Sequence, residues 1–149
     1  QFEGDKTLQS DLIVYISGGE GHSLLKDSGL PLSEAGFIKT LPTCQVEGYR
    51  EIYAIGDSAD LIGPAWAAKQ GHLAEIMADT AAYNAHNQII GSNKTKSYVE
   101  KVSIVCLMDS GDGAALVSRN EKKESMIMLP IVGHWLKKGW GFLLQEFKT

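Results

Sequence analysis

The stretch from Glu51 to His72 limits what this chain can fold into more than any other. Ile52-Tyr53-Ala54-Ile55 is a run of four apolar residues that sends side chains to both faces, the pattern of a strand buried on both sides of a parallel sheet. Gly56 and Asp57 follow where such a strand ends, and in open α/β sheets ligands bind outside the carboxyl ends of the strands. An ionised carboxylate only accepts hydrogen bonds, so Asp57 suits a partner with vicinal hydroxyls, such as a ribityl chain or a ribose. Gly63-Pro64 then marks a helix start with Pro in its first turn. The predicted helix, about Pro64 to His86, points its free N–H groups and positive dipole end at the same crevice, an effect of roughly 0.3–1 kcal/mol on a nearby negative charge. Leu73, Ile76, Met77, Thr80 and either Tyr83 or Asn84 make an apolar stripe along it. Ala67, Gly71, Ala74, Ala78, Ala81 and Ala85 make a second stripe of small residues that allows close packing.

The pattern Tyr53-Ala54-Ile55-Gly56-Asp57, followed by Ala65-Trp66-Ala67-Ala68-Lys69-Gln70-Gly71, resembles the second flavin-binding motif of the pyridine-nucleotide-disulfide oxidoreductase superfamily. Within it the nearest likeness is to the quinone-reducing branch: sulfide:quinone oxidoreductases, flavocytochrome c sulfide dehydrogenases and type II NADH dehydrogenases. The resemblance implies FAD as cofactor and an α/β fold, with residues 1–90 as the carboxyl-terminal part of an FAD-binding Rossmann-like domain. It implies that Gly56 and Asp57 hold the cofactor, with Trp66 and Lys69 in the first helical turns approaching the flavin ring. Lys69 either stabilises the anionic reduced flavin or is a solvated surface lysine.

Upstream, Leu12-Ile13-Val14-Tyr15-Ile16 is a continuous apolar run of strand length that ends in Ser17-Gly18-Gly19-Glu20-Gly21. Glycines permit close approach of a ligand or a second backbone. Members of the resembled family carry a similar strand whose terminal glycines pass near the flavin, which makes Gly18 and Gly19 cofactor-contact candidates; the alternative is an ordinary flexible loop. The superfamily also requires an early G-x-G-x-x-G to hold the pyrophosphate. Gly19-Glu20-Gly21 has Leu24 in the third glycine position, so the expectation is that a missing amino-terminal part of the same protein carries that fingerprint.

Cys44 lies shortly before the Gly-Asp motif. In the sulfide-oxidising relatives a redox cysteine stands at about this distance, and the resemblance assigns Cys44 that role: electrons pass from sulfide through a cysteine disulfide and FAD to a quinone. Such chemistry requires an accessible thiolate. The other reading of Cys44 is a small buried hydrophobe.

After the polar segment Gln88 to Lys96 the pattern changes. Val102, Ile104, Cys106 and Met108, then Ala114 to Ser118, then Ser125 to Leu129 are separated by turn residues and predict a three-stranded antiparallel meander. Ile131 to Thr149 is amphipathic, with Trp135, Trp140 and Phe147 among Lys137, Lys138 and Lys148. It falls short of the ~20 apolar residues that span a bilayer. It suits a helix lying at a membrane interface, and the resembled families end in such a segment, which admits quinone to the flavin. The competing role is a helix packed on its own domain or on a second copy in a homo-oligomer. Residues 91–149 are thus expected to form an antiparallel sheet plus a terminal amphipathic helix, in a peripheral membrane protein that is otherwise cytoplasmic.

Composition closes off other classes. The net charge is −4 and no basic run exceeds Lys122-Lys123 or Lys137-Lys138, which argues against nucleic acid as a partner. The two cysteines and four histidines have no metal-ligand spacing, so no metal is expected. Two rivals to sulfide oxidation stand: a type II NADH:quinone dehydrogenase, which has no need of Cys44, and a non-enzymatic interaction domain.

Overall fold

Helix α1, Gly71–Ile89, is the axis on which the rest is packed. The computed structural model describes residues 9–16, 18–109, 113–129, 133, 135, 138 and 139. α1 buries Leu73, Met77, Thr80, Ala81, Asn84 and Asn87, positions that recur every three to four residues on one face. The predicted stripe is therefore real in outline, but it turns polar toward the C-terminal end. The helix closes on Ile90 and Gly91: Gly91 takes φ +70°, its N–H reaches Gln88 O and the Ser92 N–H reaches Asn87 O. That pair of bonds is a Schellman cap, which only a residue without a Cβ forms without strain.

The helix starts seven residues later than Pro64. Pro64 instead opens a turn whose carbonyl accepts from Ala67 N–H at 2.8 Å. The chain then runs extended through Gln70, the N-cap, at φ −146° and ψ 155°. Helical dihedrals at Lys69 and Gln70 would pull the Lys69 ammonium off the carbonyls of Asp57 and Ala59, to which it is bonded.

Against α1 lies a segment held by isolated bridges in place of long strands: Leu32 with Ile38, Ile38 with Ala59, Thr40 with Val46, and Gln45 with Tyr53. Ile38 is the centre, since its N–H donates to Ser58 O at 2.9 Å and its carbonyl accepts from Asp60 N–H at 2.7 Å. The core joins Ile38, Cys44, Val46, Ala54 and Ala59 to Leu73 and Met77 of α1 and to Tyr98 and Val102. Burying a Leu or Met side chain contributes roughly 1.5–3 kcal/mol, so Leu73 and Met77 anchor the helix. Because Tyr98 and Val102 belong to this core, the packing of the first unit continues past residue 90.

Two strand expectations are corrected. Leu12–Ile16 is not in a strand and stands 76–88 % exposed. Ile52–Ile55 pairs along one edge only, through Ala54 N–H to Cys44 O and Val46 N–H to Ile52 O. Ile52 and Ile55, which point to opposite sides of the extended segment, are 39 % and 37 % exposed, so the segment is not buried on both faces. The physical reason is shared: a strand is stabilised by the ladder its neighbour supplies, and among the described residues no segment pairs with 12–16 or with the open edge of 52–55.

The meander forms as expected. β1 (Ile104–Asp109), β2 (Ala114–Arg119) and β3 (Glu124–Met128) make an antiparallel sheet in the order β1-β2-β3. Cys106, Val117 and Met126 are in register across it, as are Leu107, Leu116 and Ile127. Since residues in register share a face, both faces are apolar. The β2–β3 turn is fastened by Asn120, whose Oδ1 accepts from the N–H groups of Lys122 and Lys123 at 2.9 Å each. Ser118 and Ser125 hydroxyls meet at 2.9 Å across the same pair of strands.

Of the terminal segment, Gly133, Trp135, Lys138 and Gly139 are helical, and Trp135 is 67 % exposed with the Lys138 ammonium 5.3 Å from its ring centroid. Trp140 and Phe147 lie outside the described residues. Gly133 packs so tightly on β2 that a Cβ there would stand 2.4 Å from Ala114 Cβ. Among the described residues no helix is long and apolar enough to cross a membrane.

Candidate functional site

The Gly-Asp motif builds a tight turn. Gly56 takes φ +60°, a left-handed conformation that costs other L-residues roughly 1–2 kcal/mol. Gly56–Ser58 then forms a single 3₁₀ turn, closed by Ala59 N–H to Gly56 O at 3.2 Å, with the Ser58 hydroxyl donating to Ile55 O at 2.9 Å. The first turn of α1 seats against it: Gln70, Leu73 and Ala74 line a crevice under Gly56. A Cβ at Gly56 would be 3.4 Å from Ala74 Cβ. The helix thus meets the motif through Gly71 onward, and Gln70 Oε1 is buried there with no partner among the described residues.

On the outer side of the turn lies a cleft of about 390 Å³, lined by Asp57 and Ser58 from the motif and by Glu20, His22, Leu24 and Leu25 from the segment after the early glycines. Asp57 is exposed at its mouth. Gly18 and Gly19 precede this wall directly, with open space beside their Cα atoms. Gly21 is different: its N–H donates to Ala35 O at 2.7 Å, and a Cβ would stand 1.7 Å from Gly36 O. Gly21 therefore fixes the Glu20–His22 wall against the 33–37 turn by close backbone approach. His22 also caps the short turn Ser23–Leu25 by accepting from Leu24 N–H at Nδ1, 3.2 Å away.

The two glycine-bearing segments singled out in the sequence, 18–21 and 56–57, thus flank one cleft. Glu20, His22 and Ser58 were missed; the signal available for them was adjacency to those glycines. The donor and acceptor set has a clear chemical bias. The two carboxylates and the Ser58 hydroxyl, whose proton is given to Ile55 O, accept from a polyol, and His22 offers Nε2–H because its Nδ1 accepts from Leu24 N–H. With no lysine or arginine in the wall, the carboxylates repel a phosphate. The residues present fit the ribityl portion of FAD and do not fit its pyrophosphate.

Trp66 and Lys69 are engaged elsewhere. Trp66 packs on the core edge, with the Arg119 guanidinium 5.1 Å from its ring, and Arg119 in turn pairs with Glu124 at 3.5 Å. Lys69 turns under the motif, with Nζ on Asp57 O at 3.1 Å, on Ala59 O, and 3.9 Å from the Phe37 ring centroid. Neither residue lines the cleft.

Cys44 is fully buried, 0 % exposed, at φ +68° in a turn closed by its own N–H on Leu41 O at 2.9 Å. Its Sγ donates to Met77 O of α1 at 3.5 Å. Burial pushes the thiol up to about 11 from its ordinary 9.0. In this arrangement the sulfur is a packing group between loop and helix, and the access and thiolate character that redox chemistry requires are not provided. Cys106 sits half-buried in β1. No group of three His, Cys, Asp or Glu side chains with metal-site geometry occurs among the described residues.

No family model matches the chain. A protein of Mycosarcoma maydis named Fe-regulated protein 8 is similar to it, 34 % identical over 79 residues, which is 53 % of this chain and 19 % of that relative. The chain therefore aligns with about a fifth of the relative's length.

Proposed function

We propose that this chain is the carboxyl-terminal part of an FAD-dependent oxidoreductase, and that it supplies the wall holding the ribityl portion of the cofactor. The observation that carries this reading is the cleft in which Asp57 and Ser58 face the segment that follows Gly18 and Gly19. FAD, when bound, supplies two-electron redox chemistry. The chain's own part is to accept polyol hydroxyls at Asp57, to let a ligand close on Gly18 and Gly19, and to hold the Gly56 turn rigid. A missing amino-terminal part of the same protein is the proposed source of the pyrophosphate site.

The sequence resemblance favours sulfide:quinone oxidoreduction, with a quinone as electron acceptor reached through a terminal segment at the membrane surface. The burial of Cys44 favours the second reading, a type II NADH:quinone dehydrogenase, because that activity leaves Cys44 a purely structural residue. The deciding experiment is a visible absorption spectrum of the full-length protein during separate anaerobic titrations with sulfide and with NADH. Bleaching of a flavin band by sulfide and reoxidation by quinone supports the first reading. Bleaching by NADH alone supports the second. A well-folded preparation without a flavin band rejects both, and leaves the non-enzymatic interaction domain.

A further inference from the structure

Lys69 has an ammonium with three N–H donors, and two carbonyls and an aromatic ring lie against it. Nζ bonds the main-chain carbonyl of Asp57 at 3.1 Å and that of Ala59, while the Phe37 ring centroid lies 3.9 Å away. These contacts join three elements: the 56–59 turn, the approach to α1 immediately before its N-cap Gln70, and the 33–37 turn that also receives Gly21. Two of the three N–H donors are engaged in this way, and Lys69 lines the crevice under Gly56 and not the cleft wall. Asp57 presents its carbonyl to Lys69 on one side of the turn and lines the cleft on the other. The Lys69 site is partly desolvated, which lowers its pKa, while the charges of Asp57 and Asp60 favour the ammonium form.

We infer that Lys69 is a positioning residue: by stapling the Asp57 and Ala59 carbonyls it fixes the orientation in which Asp57 meets the polyol. The ligand side of this inference rests on the flavin reading above; the staple itself does not. A lysine in a motif beside a cofactor invites assignment to the redox ring, and here the geometry assigns it to the backbone beneath the acceptor.

The test uses the full-length protein as wild type, Lys69→Met and Lys69→Arg. Methionine keeps the apolar stem on Phe37 and removes the donors; arginine restores donors and charge. Hydrogen exchange, followed by mass spectrometry on the flavin-free forms, reads the staple directly. Lys69→Met should speed exchange at Ala59 and Asp60, whose N–H groups close the turn on Gly56 O and Ile38 O, and Lys69→Arg should return it toward wild type. Titration of the apoproteins with FAD should show affinity weakened about tenfold in Lys69→Met, as expected if Asp57 then holds its binding orientation in only about a tenth of the molecules. The flavin band should keep its position and the bound cofactor its reduction potential, because Lys69 does not touch the ring. Unchanged exchange in Lys69→Met overturns the inference, as does a shifted potential or band with an unaltered turn. Should Lys69→Met not fold, Lys69→Gln, which keeps a neutral donor, takes its place with the same expected order. If no form binds FAD the flavin reading falls, and the exchange measurements still decide whether Lys69 is the staple.

Discussion

Asp57 and Cys44 show how two residues thirteen positions apart, one exposed and one buried, divide site from scaffold. Asp57 is exposed, and the hydrogen bonds that close its turn do not use its carboxylate. Asp57→Ala should therefore move thermal stability by no more than about 0.5 kcal/mol, in line with other exposed substitutions. It should weaken FAD binding by the full-length protein by about tenfold or more, since a charged acceptor to hydroxyl donors contributes about 1.5–3 kcal/mol. A flavin fluorescence titration beside a melting curve measures both. Cys44 should show the opposite signature. Its thiol should resist iodoacetamide in the native protein at pH 8 and react on unfolding. Its pKa is raised on folding, so the folded state favours the protonated thiol. Stability contributed by that preference is complete below pH 9.0 and is lost as pH rises to about 11, because the unfolded chain ionises first. Urea midpoints from pH 8 to 11 should fall more steeply for wild type than for Cys44→Ala. Rapid native alkylation would restore Cys44 as a redox candidate.

At the scale of elements, α1 is held by its apolar stripe and also by one buried amide. Asn84 Nδ2 donates to Thr43 O at 3.0 Å and to Lys96 O at 2.9 Å, while its Oδ1 accepts from Lys96 N–H at 2.7 Å. The side chain so ties the Cys44 turn, the helix and the segment leading to Tyr98. Asn84→Ala removes three bonds at once and strands their partners, so a loss of about 2–4 kcal/mol is expected from chemical denaturation. Sequence periodicity could place Asn84 on the buried face but not name its partners, which lie 41 and 12 residues away. The helix start was misplaced for a related reason. Gly63-Pro64 is a sound local start signal, yet the Lys69 staple and the Trp66–Arg119 contact hold 64–70 out of helix through residues remote in sequence. By contrast, the meander was legible, because its alternation and its Asn120 turn are decided by neighbours a few residues apart.

For the whole molecule the governing fact is that large apolar side chains among the described residues are exposed. Leu12–Ile16 is an exposed apolar run, and the sheet formed by β1, β2 and β3 is apolar on both faces with Met126, Ile127 and Met128 exposed on its edge strand. Open apolar edges template association. The 149-residue chain by itself should therefore self-associate in a concentration-dependent way, and Ile13→Glu should reduce that association by light scattering without changing the melting of the core around α1. Association unaffected by Ile13→Glu would point to the β3 edge.

The sequence by itself determined the elements whose causes are local: a helix with one buried face, a three-stranded meander and a glycine-aspartate turn. It also marked the two glycine segments that come to flank the cleft, because glycine announces close approach wherever it stands. Tertiary structure alone decided which edges are paired, where α1 begins, that Lys69 faces backbone, and that the Cys44 sulfur is sealed against Met77. Those outcomes depend on which distant segment supplies the hydrogen-bond partner or excludes the water, and neither spacing nor periodicity encodes that.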